Sequence, residues 1–222
     1  MKMKENLEVG TGRPSYIIAI TGASGAIFGF SLLKALVNNS YFVYLIISKP
    51  GFKVIKDELG MFVNLDTDGN LTKLEGKIKD EILNKFELHN DGFAFLDEMF
   101  LEAKIASGSA KQVKGMAVIP CSMGSLSRIA CGNSGNLIER ASDVMLKERK
   151  KLIVCPRETP FNDIHLKNML SLINSGAVIL PPIPAFYNKP QGIDDIISFI
   201  TGKILDSLGI DNDMYIRWKG YD

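Results

Sequence analysis

The residues best suited to chemistry stand directly after apolar runs. Gly22-Ala23-Ser24-Gly25-Ala26-Ile27-Phe28-Gly29 follows the run Tyr16 to Ile20 and opens a helical pattern. Glycines there permit a tight turn and close ligand approach, and the first N–H groups of a helix favour an anion. The spacing is not GxGxxG, and Ser48 rather than an acidic residue follows the second run, so the dinucleotide fingerprint is absent. Ser48 and Cys121-Ser122-Met123-Gly124-Ser125 add hydroxyls and backbone donors after two further runs. A turn without ligand, and helix capping by the serines, are the alternative readings of the same residues. Arg157-Glu158 follows the run ending at Cys155-Pro156, and with Arg140 and Lys147 it supplies the cations and donors that a dianionic phosphate needs. Lys147-Glu148-Arg149-Lys150-Lys151 reads equally as a solvated helix end. Pro181-Pro182-Ile183-Pro184-Ala185-Phe186-Tyr187 is a stiff segment that ends in a phenol able to donate to a phosphate oxygen.

Other chemistries are disfavoured by the same residues. His89 and His165 are far apart, no HExxH or Cys/His ligand spacing occurs, and no catalytic metal is expected. His165 lies on the apolar pattern Ile164, Leu166, Met169, Leu170 and reads as a structural histidine. No GxSxG elbow is present. Cys121, Cys131 and Cys155 form no CxxC pair, and Cys121, at the end of an apolar strand, reads as an inert packed thiol. Their number and setting imply a reducing, cytoplasmic compartment. Lysine and arginine total 26 against 25 acidic residues, so no global field recruits nucleic acid or an anionic membrane surface. No window approaches the roughly 18–20 apolar residues of a membrane span.

These residues need a frame that brings the ends of separate runs to one edge. The pattern predicts strands at 16–20, 42–47, 116–120, 151–155 and 177–180, with helices from Gly25 to Val37, at 50–59, through Ile129, at 136–149, 163–174 and 192–208. Strands alternating with helices predict a Rossmann-like or flavodoxin-like three-layer α/β/α sandwich with a mainly parallel sheet, whose ligand site lies beyond the carboxyl ends of the strands. Residues 60–112 read as polar and irregular, with Asp66 to Asn70 as a turn. One domain at 15–210 is expected, preceded by a flexible extension at 1–14 and followed by an exposed tail at 211–222 that carries Trp218, the sole tryptophan.

Taken together, Ile20 to Ala26, Ile47-Ser48-Lys49, Ile105 to Ser109, Pro120 to Leu126, Asn136 to Ala141, Asp143 to Arg149, Pro156 to Pro160, Ile164-His165-Leu166, Gly176 to Pro182 and Pro184 to Tyr187 resemble the flavin prenyltransferases, the UbiX-like enzymes. The resemblance implies that Gly22, Ala23, Ser24, Ser48, Ser122, Met123, Gly124, Ser125 and Arg140 bind FMN. It implies that Lys147, Glu158, Tyr187 and Lys203 hold dimethylallyl phosphate, with Arg157 supporting and Trp218 nearby. Glu58 and Glu158 are the implied acid–base groups, with Ser24 a proton relay. Lys203 departs from the arginine common in the family, keeping the charge but losing bidentate geometry. The implied reaction joins the dimethylallyl group to N5 and C6 of reduced FMN without a metal, making prenylated FMN for a separate decarboxylase, in a homododecamer. The alternatives are an FMN-dependent cysteine-type decarboxylase and a non-catalytic FMN carrier.

Overall fold

The computed structural model describes residues 12–66, 71–89, 92–218 and 220. Most of the expected N-terminal extension, the core of the turn at 66–70, and positions 219, 221 and 222 lie outside the described residues. The chain folds as β1 (Ser15–Ile20), α1 (Ala26–Asn38), β2 (Phe42–Ile47), α2 (Lys49–Leu59), α3 (Glu75–Phe86), β3 (Phe93–Asp97), β4 (Val113–Cys121), α4 (Met123–Ala130), α5 (Leu137–Lys147), β5 (Lys151–Pro156), α6 (Asp163–Asn174), β6 (Val178–Ile179) and α7 (Ile193–Leu208). The six strands run in the order β3-β2-β1-β4-β5-β6, and every pairing is parallel. The order reverses between β1 and β4, and in such sheets the crevice for a ligand opens beyond the carboxyl ends at that point.

The alternation of side chains along β1 builds the two faces. Ile18 and Ile20 join a core with Leu33 of α1, Phe52 of α2, Ile78 of α3 and Ile204 of α7. Ile17 and Ala19 point the other way, into a core with Leu126 of α4, Val144 of α5 and Met169 of α6. The sheet is thus covered on both sides, which accounts for the continuous apolar runs of β1 and β2. Gly29 lets α1 sit close to the sheet, because a Cβ there would lie 2.7 Å from Ile20 Cγ1 and 2.8 Å from the Ile119 carbonyl oxygen.

The structure adds a helix, an edge strand and two short 3-10 turns, at Leu71–Leu74 and Lys104–Ala106, to the stretch that reads as irregular. α3 buries only Ile78 and Ile82, and β3 is an edge strand of five residues. Neither carries a long periodic signal. β6 is shorter than the expected 177–180. Leu180 still donates to the Val154 carbonyl at 2.9 Å, but Pro181 and Pro182 have no N–H to continue the ladder. The tail is also not a simple exposed extension, since Asn212, Tyr215 and Arg217 are bonded to Asp206 of α7.

Candidate functional site

At the switch point the ends of β1 and β4 are tied by one hydroxyl. Thr21 Oγ1 donates to the Pro120 carbonyl at 2.8 Å and accepts from the Ser122 N–H at 2.8 Å. Thr21 is fully buried, so its loss strands the Ser122 N–H away from water. Thr21→Val is expected to cost about 2 kcal/mol, lowering the melting temperature by about 4–8 °C in a chain of this size; calorimetry checks it.

Around this tie lies a cleft of about 190 Å³, with Gly22, Ser48, Ser122, Gly124 and Ser125 in its wall. The serines reach it because they are N-caps. Ser48 Oγ accepts from the Gly51 N–H at 3.1 Å, and Ser122 Oγ from the Ser125 N–H at 3.2 Å. The capping reading is what the hydrogen bonds show, and the same two capping serines also stand in the cleft wall. Ala23 is buried behind the turn, and Met123 is the first helical residue of α4.

The N–H groups at the start of α1, which the sequence reading leaves to a ligand, are taken instead by Glu58. Gly25 N–H lies 3.0 Å from both carboxylate oxygens, and Ala26 N–H donates to Oε2 at 3.0 Å. α1 has no side-chain cap and no acidic residue in its first turn, so a carboxylate from the end of α2 fills that role. This brings Glu58 to the residue after Ser24, joining two of the expected catalytic positions at one corner. Glu58→Ala is expected to cost about 1 kcal/mol through the lost cap.

Glu98, Arg128, Asn136 and Glu139 also line the cleft. Glu98 Oε1 accepts from the Lys49 N–H at 2.7 Å, and Arg128 Nε donates to Glu139 Oε1 at 2.6 Å. Burial raises the Glu98 carboxyl above its ordinary range, the Lys49 bond opposing it. A carboxyl raised on folding holds its proton longer in the native state, so it subtracts stability as pH rises through the raised value. Glu98→Gln keeps an acceptor for Lys49 and is expected to raise the melting temperature at pH 8, with the gain vanishing below about pH 4, where both states are protonated.

The remaining expected site residues divide. Arg157 stands at the carboxyl edge, its N–H donating to the Cys121 carbonyl at 3.1 Å, and Glu158 follows, exposed, with Oε1 accepting from the Thr159 N–H at 2.9 Å. Tyr187 packs edge-on against Trp218, with ring centroids 5.7 Å apart, and against Phe199 at 6.2 Å. Lys203 Nζ lies 5.8 Å from the Tyr215 ring centroid, beside the same cluster. Arg140 is outside the cleft wall, with Nε donating to the Ala106 carbonyl at 3.1 Å and Nη1 3.1 Å from Asp143 Oδ2. Lys147 is not brought to the cleft within one chain. It ends the helix that Asn136 begins, roughly 16 Å away along the axis, and pairs with Glu148 at 2.8 Å.

Burial pushes the Cys121 thiol up to about 12 and the Cys155 thiol well above its usual value, in keeping with inert packed cysteines. His165 is structural, its Nδ1 accepting from the Asn162 N–H at 3.3 Å in a capping box that starts α6. Among the described residues no cluster of histidine, cysteine and carboxylate side chains could hold a metal ion, and no helix is long and apolar enough to cross a membrane.

A parallel sheet whose switch-point cleft is walled by glycine, capping serines and helix N-termini defines a nucleotide-binding α/β protein, and the Flavoprotein family model matches residues 5–205. Within that class the chain belongs to the UbiX flavin prenyltransferase family. It is 48% identical over 202 residues to the flavin prenyltransferase UbiX of Methanocaldococcus jannaschii, covering 91% of this chain and 97% of the relative. The crystal structure of AnUbiX in complex with FMN and dimethylallyl pyrophosphate is similar with a TM-score of 0.78 at 35% identity, covering 95% of this chain and 100% of that one. A dodecameric FMN-dependent UbiX-like decarboxylase from Escherichia coli O157:H7 matches with a TM-score of 0.78 at 34% identity, over 93% of this chain and 100% of that one.

Proposed function

We propose that the cleft holds one end of reduced FMN and that the chain transfers a dimethylallyl group from dimethylallyl phosphate to N5 and C6 of that flavin, making prenylated FMN for a partner decarboxylase. The observation that carries this is the convergence of Gly22, Ser48, Ser122, Gly124 and Ser125 on one cleft at the switch point. Its volume of about 190 Å³ is below the roughly 300–1,000 Å³ of a site enclosing a drug-sized ligand. One end of the nucleotide fits there, with the remainder along the open edge. Glu58 satisfies the start of α1, and Glu98 with Ser48 satisfies the start of α2. The first turn of α4 is left as the anion pole, where Met123 and Gly124 carry N–H groups no intrahelical carbonyl can reach.

Reduced FMN, when bound, supplies the nucleophilic nitrogen and carbon. The side chains of this chain handle the leaving group and protons. Arg157 and Lys203 hold the departing phosphate by charge, while Glu158 and Tyr187 donate or accept protons as the C–O bond breaks. Tyr187 and Trp218 form an aromatic wall that shelters the allyl group and excludes water. Ser24 and Glu58 together form the proton path at the flavin edge.

A cysteine-type decarboxylase is the weaker reading, because a histidine beside the flavin is what that chemistry uses, and no histidine lines the cleft among the described residues. The two readings part when FMN-loaded protein is offered a cysteine-derived carboxylate: carbon dioxide release would displace the prenyl-transfer reading, and none is expected.

A homododecamer suits the exposed apolar face of α6, where Ile164, Leu166, Leu170 and Ile173 lie open. It would also give Lys147 a neighbour's phosphate to bind. Leu166→Asp combined with Leu170→Asp is expected to shift the mass in solution from a large assembly towards the monomer of 24.5 kDa, read by light scattering. An unchanged mass would remove this face from the interface.

A further inference from the structure

We infer that Asp206 anchors a latch that docks the C-terminal segment onto α7, and so positions Trp218 and Lys203 at the prenyl-phosphate end of the site. The second half of this inference rests on the function proposed above. Phe199, Gly202, Lys203 and Asp206 recur at helical spacing on α7 and present one face to the tail. Asp206 meets Arg217 through two oxygens, with Nη2–Oδ1 at 2.7 Å and Nη1–Oδ2 at 3.0 Å. The Tyr215 hydroxyl donates to Oδ2 at 2.6 Å, and Asn212 Nδ2 donates to Oδ1 at 2.9 Å. Arg217 Nη2 also donates to the Asn212 carbonyl at 3.2 Å, closing the tail on itself. A bidentate arginine–carboxylate pair with two further donors fixes geometry as well as charge. The hydrogen bonds from Arg217 hold the Asp206 carboxyl down to about 2, and burial with the Asp206 bond pushes the Tyr215 hydroxyl up to about 12. Acceptor and donor therefore keep their roles across neutral pH.

Shape supports the same docking. The Tyr215 ring sits against Gly202, where an added Cβ would lie 2.5 Å from its Cδ1, and packs edge-on against Phe199 at 5.2 Å. Phe199 touches Tyr187, and Tyr187 touches Trp218, so the tail reaches the aromatic wall through an unbroken set of ring contacts.

The latch has a second effect on Lys203. Lys203 and Asp206 stand at i and i+3, a spacing at which opposite charges ordinarily pair. Here Asp206 is committed to Arg217 and Tyr215, and among the described residues Lys203 makes no ion pair. Its ammonium is thereby left for an anion. Asp206, with both oxygens committed to Asn212, Tyr215 and Arg217, is a positioning residue.

This arrangement orders the variants in a way that simple destabilisation does not. Asp206→Asn loosens the tail but leaves Lys203 unquenched. Arg217→Gln loosens the tail and releases Asp206 to pair with Lys203. The donor KM is therefore expected to rise about threefold in the first and about tenfold or more in the second, with the double variant resembling the first and kcat changing less than KM. Because Trp218 is the sole tryptophan, its fluorescence reads tail docking without reference to activity. Acrylamide quenching is expected to rise in Asp206→Asn, in Arg217→Gln and in Gly202→Ala, which keeps every charge and favours the helix but displaces the Tyr215 ring. Unchanged quenching in all three overturns the latch. Increased quenching with equal donor KM values in wild type, Asp206→Asn and Arg217→Gln overturns its role in the site. A wild-type protein that leaves the flavin unaltered in mass would instead sink the prenyl-transfer reading, while increased quenching in the three variants would still support the docking itself.

Discussion

Glu158→Gln is expected to slow formation of prenylated flavin by about 10²–10⁴-fold, the usual contribution of a positioned general acid or base, while FMN still binds. The carboxylate sits at the carboxyl edge of the sheet beside Arg157, whose backbone is held to the end of β4. It is exposed and lies outside the cleft wall, so replacing it leaves the flavin-binding surface intact. Glutamine preserves size and can still accept from the Thr159 N–H, but it cannot exchange a proton. The two roles separate in single-turnover assays under anaerobic conditions, with flavin loading followed by absorbance and product by chromatography. A product rate equal to wild type would remove Glu158 from the chemistry.

Gly22→Ala is expected to weaken FMN binding by at least about tenfold, or about 1.4 kcal/mol, in a chain that remains folded. A Cβ at this position would lie 2.5 Å from Pro50 Cβ, and a proline ring in the first turn of α2 cannot swing aside as a long side chain can. The start of α2 must move instead, taking Ser48 and one wall of the cleft with it. Gly76, in α3, is the matched control, since nothing lies within 4 Å of a Cβ built there. Gly76→Ala is expected to leave FMN affinity unchanged and to add slightly to stability through helix propensity. Equal FMN dissociation constants for Gly22→Ala and wild type, measured by fluorescence titration, would show that the close packing of turn on helix does not shape the site.

The strands that the sequence reveals most plainly are those buried on both faces. β1, β2, β4 and β5 announce themselves as unbroken apolar runs, and the residues after them include much of the cleft wall. β3 is different. As a short edge strand after a charged helix it carries little pattern, and because it goes unread, Glu98 just beyond it goes unread too. Reading the residue after each strand end finds Glu98 as soon as β3 is known.

Glu58 and Asp206 illustrate a second limit. Each is an ordinary helical carboxylate in the sequence, and its role depends on a partner 33 residues away at Gly25 or 11 residues away at Arg217. Nothing in local periodicity encodes such pairs. Lys147 shows the opposite case. The family resemblance assigns it a phosphate, yet its place at the far end of α5 keeps it from the cleft of its own chain, so its proposed role calls for a neighbouring subunit.

The glycine turn at Gly22 to Gly25 by itself marks only a ligand edge on a parallel sheet. Its meaning comes from the other strand ends, with Ser48 and Ser122 capping helices in the cleft wall and Arg157 and Glu158 following β5 at the carboxyl edge of the same sheet. The most direct measurement is anaerobic incubation of the protein with reduced FMN and dimethylallyl phosphate, followed by mass determination of the released flavin. The account predicts a flavin heavier by one five-carbon isoprenoid unit. Recovery of FMN unchanged in mass from folded, flavin-loaded protein would contradict it.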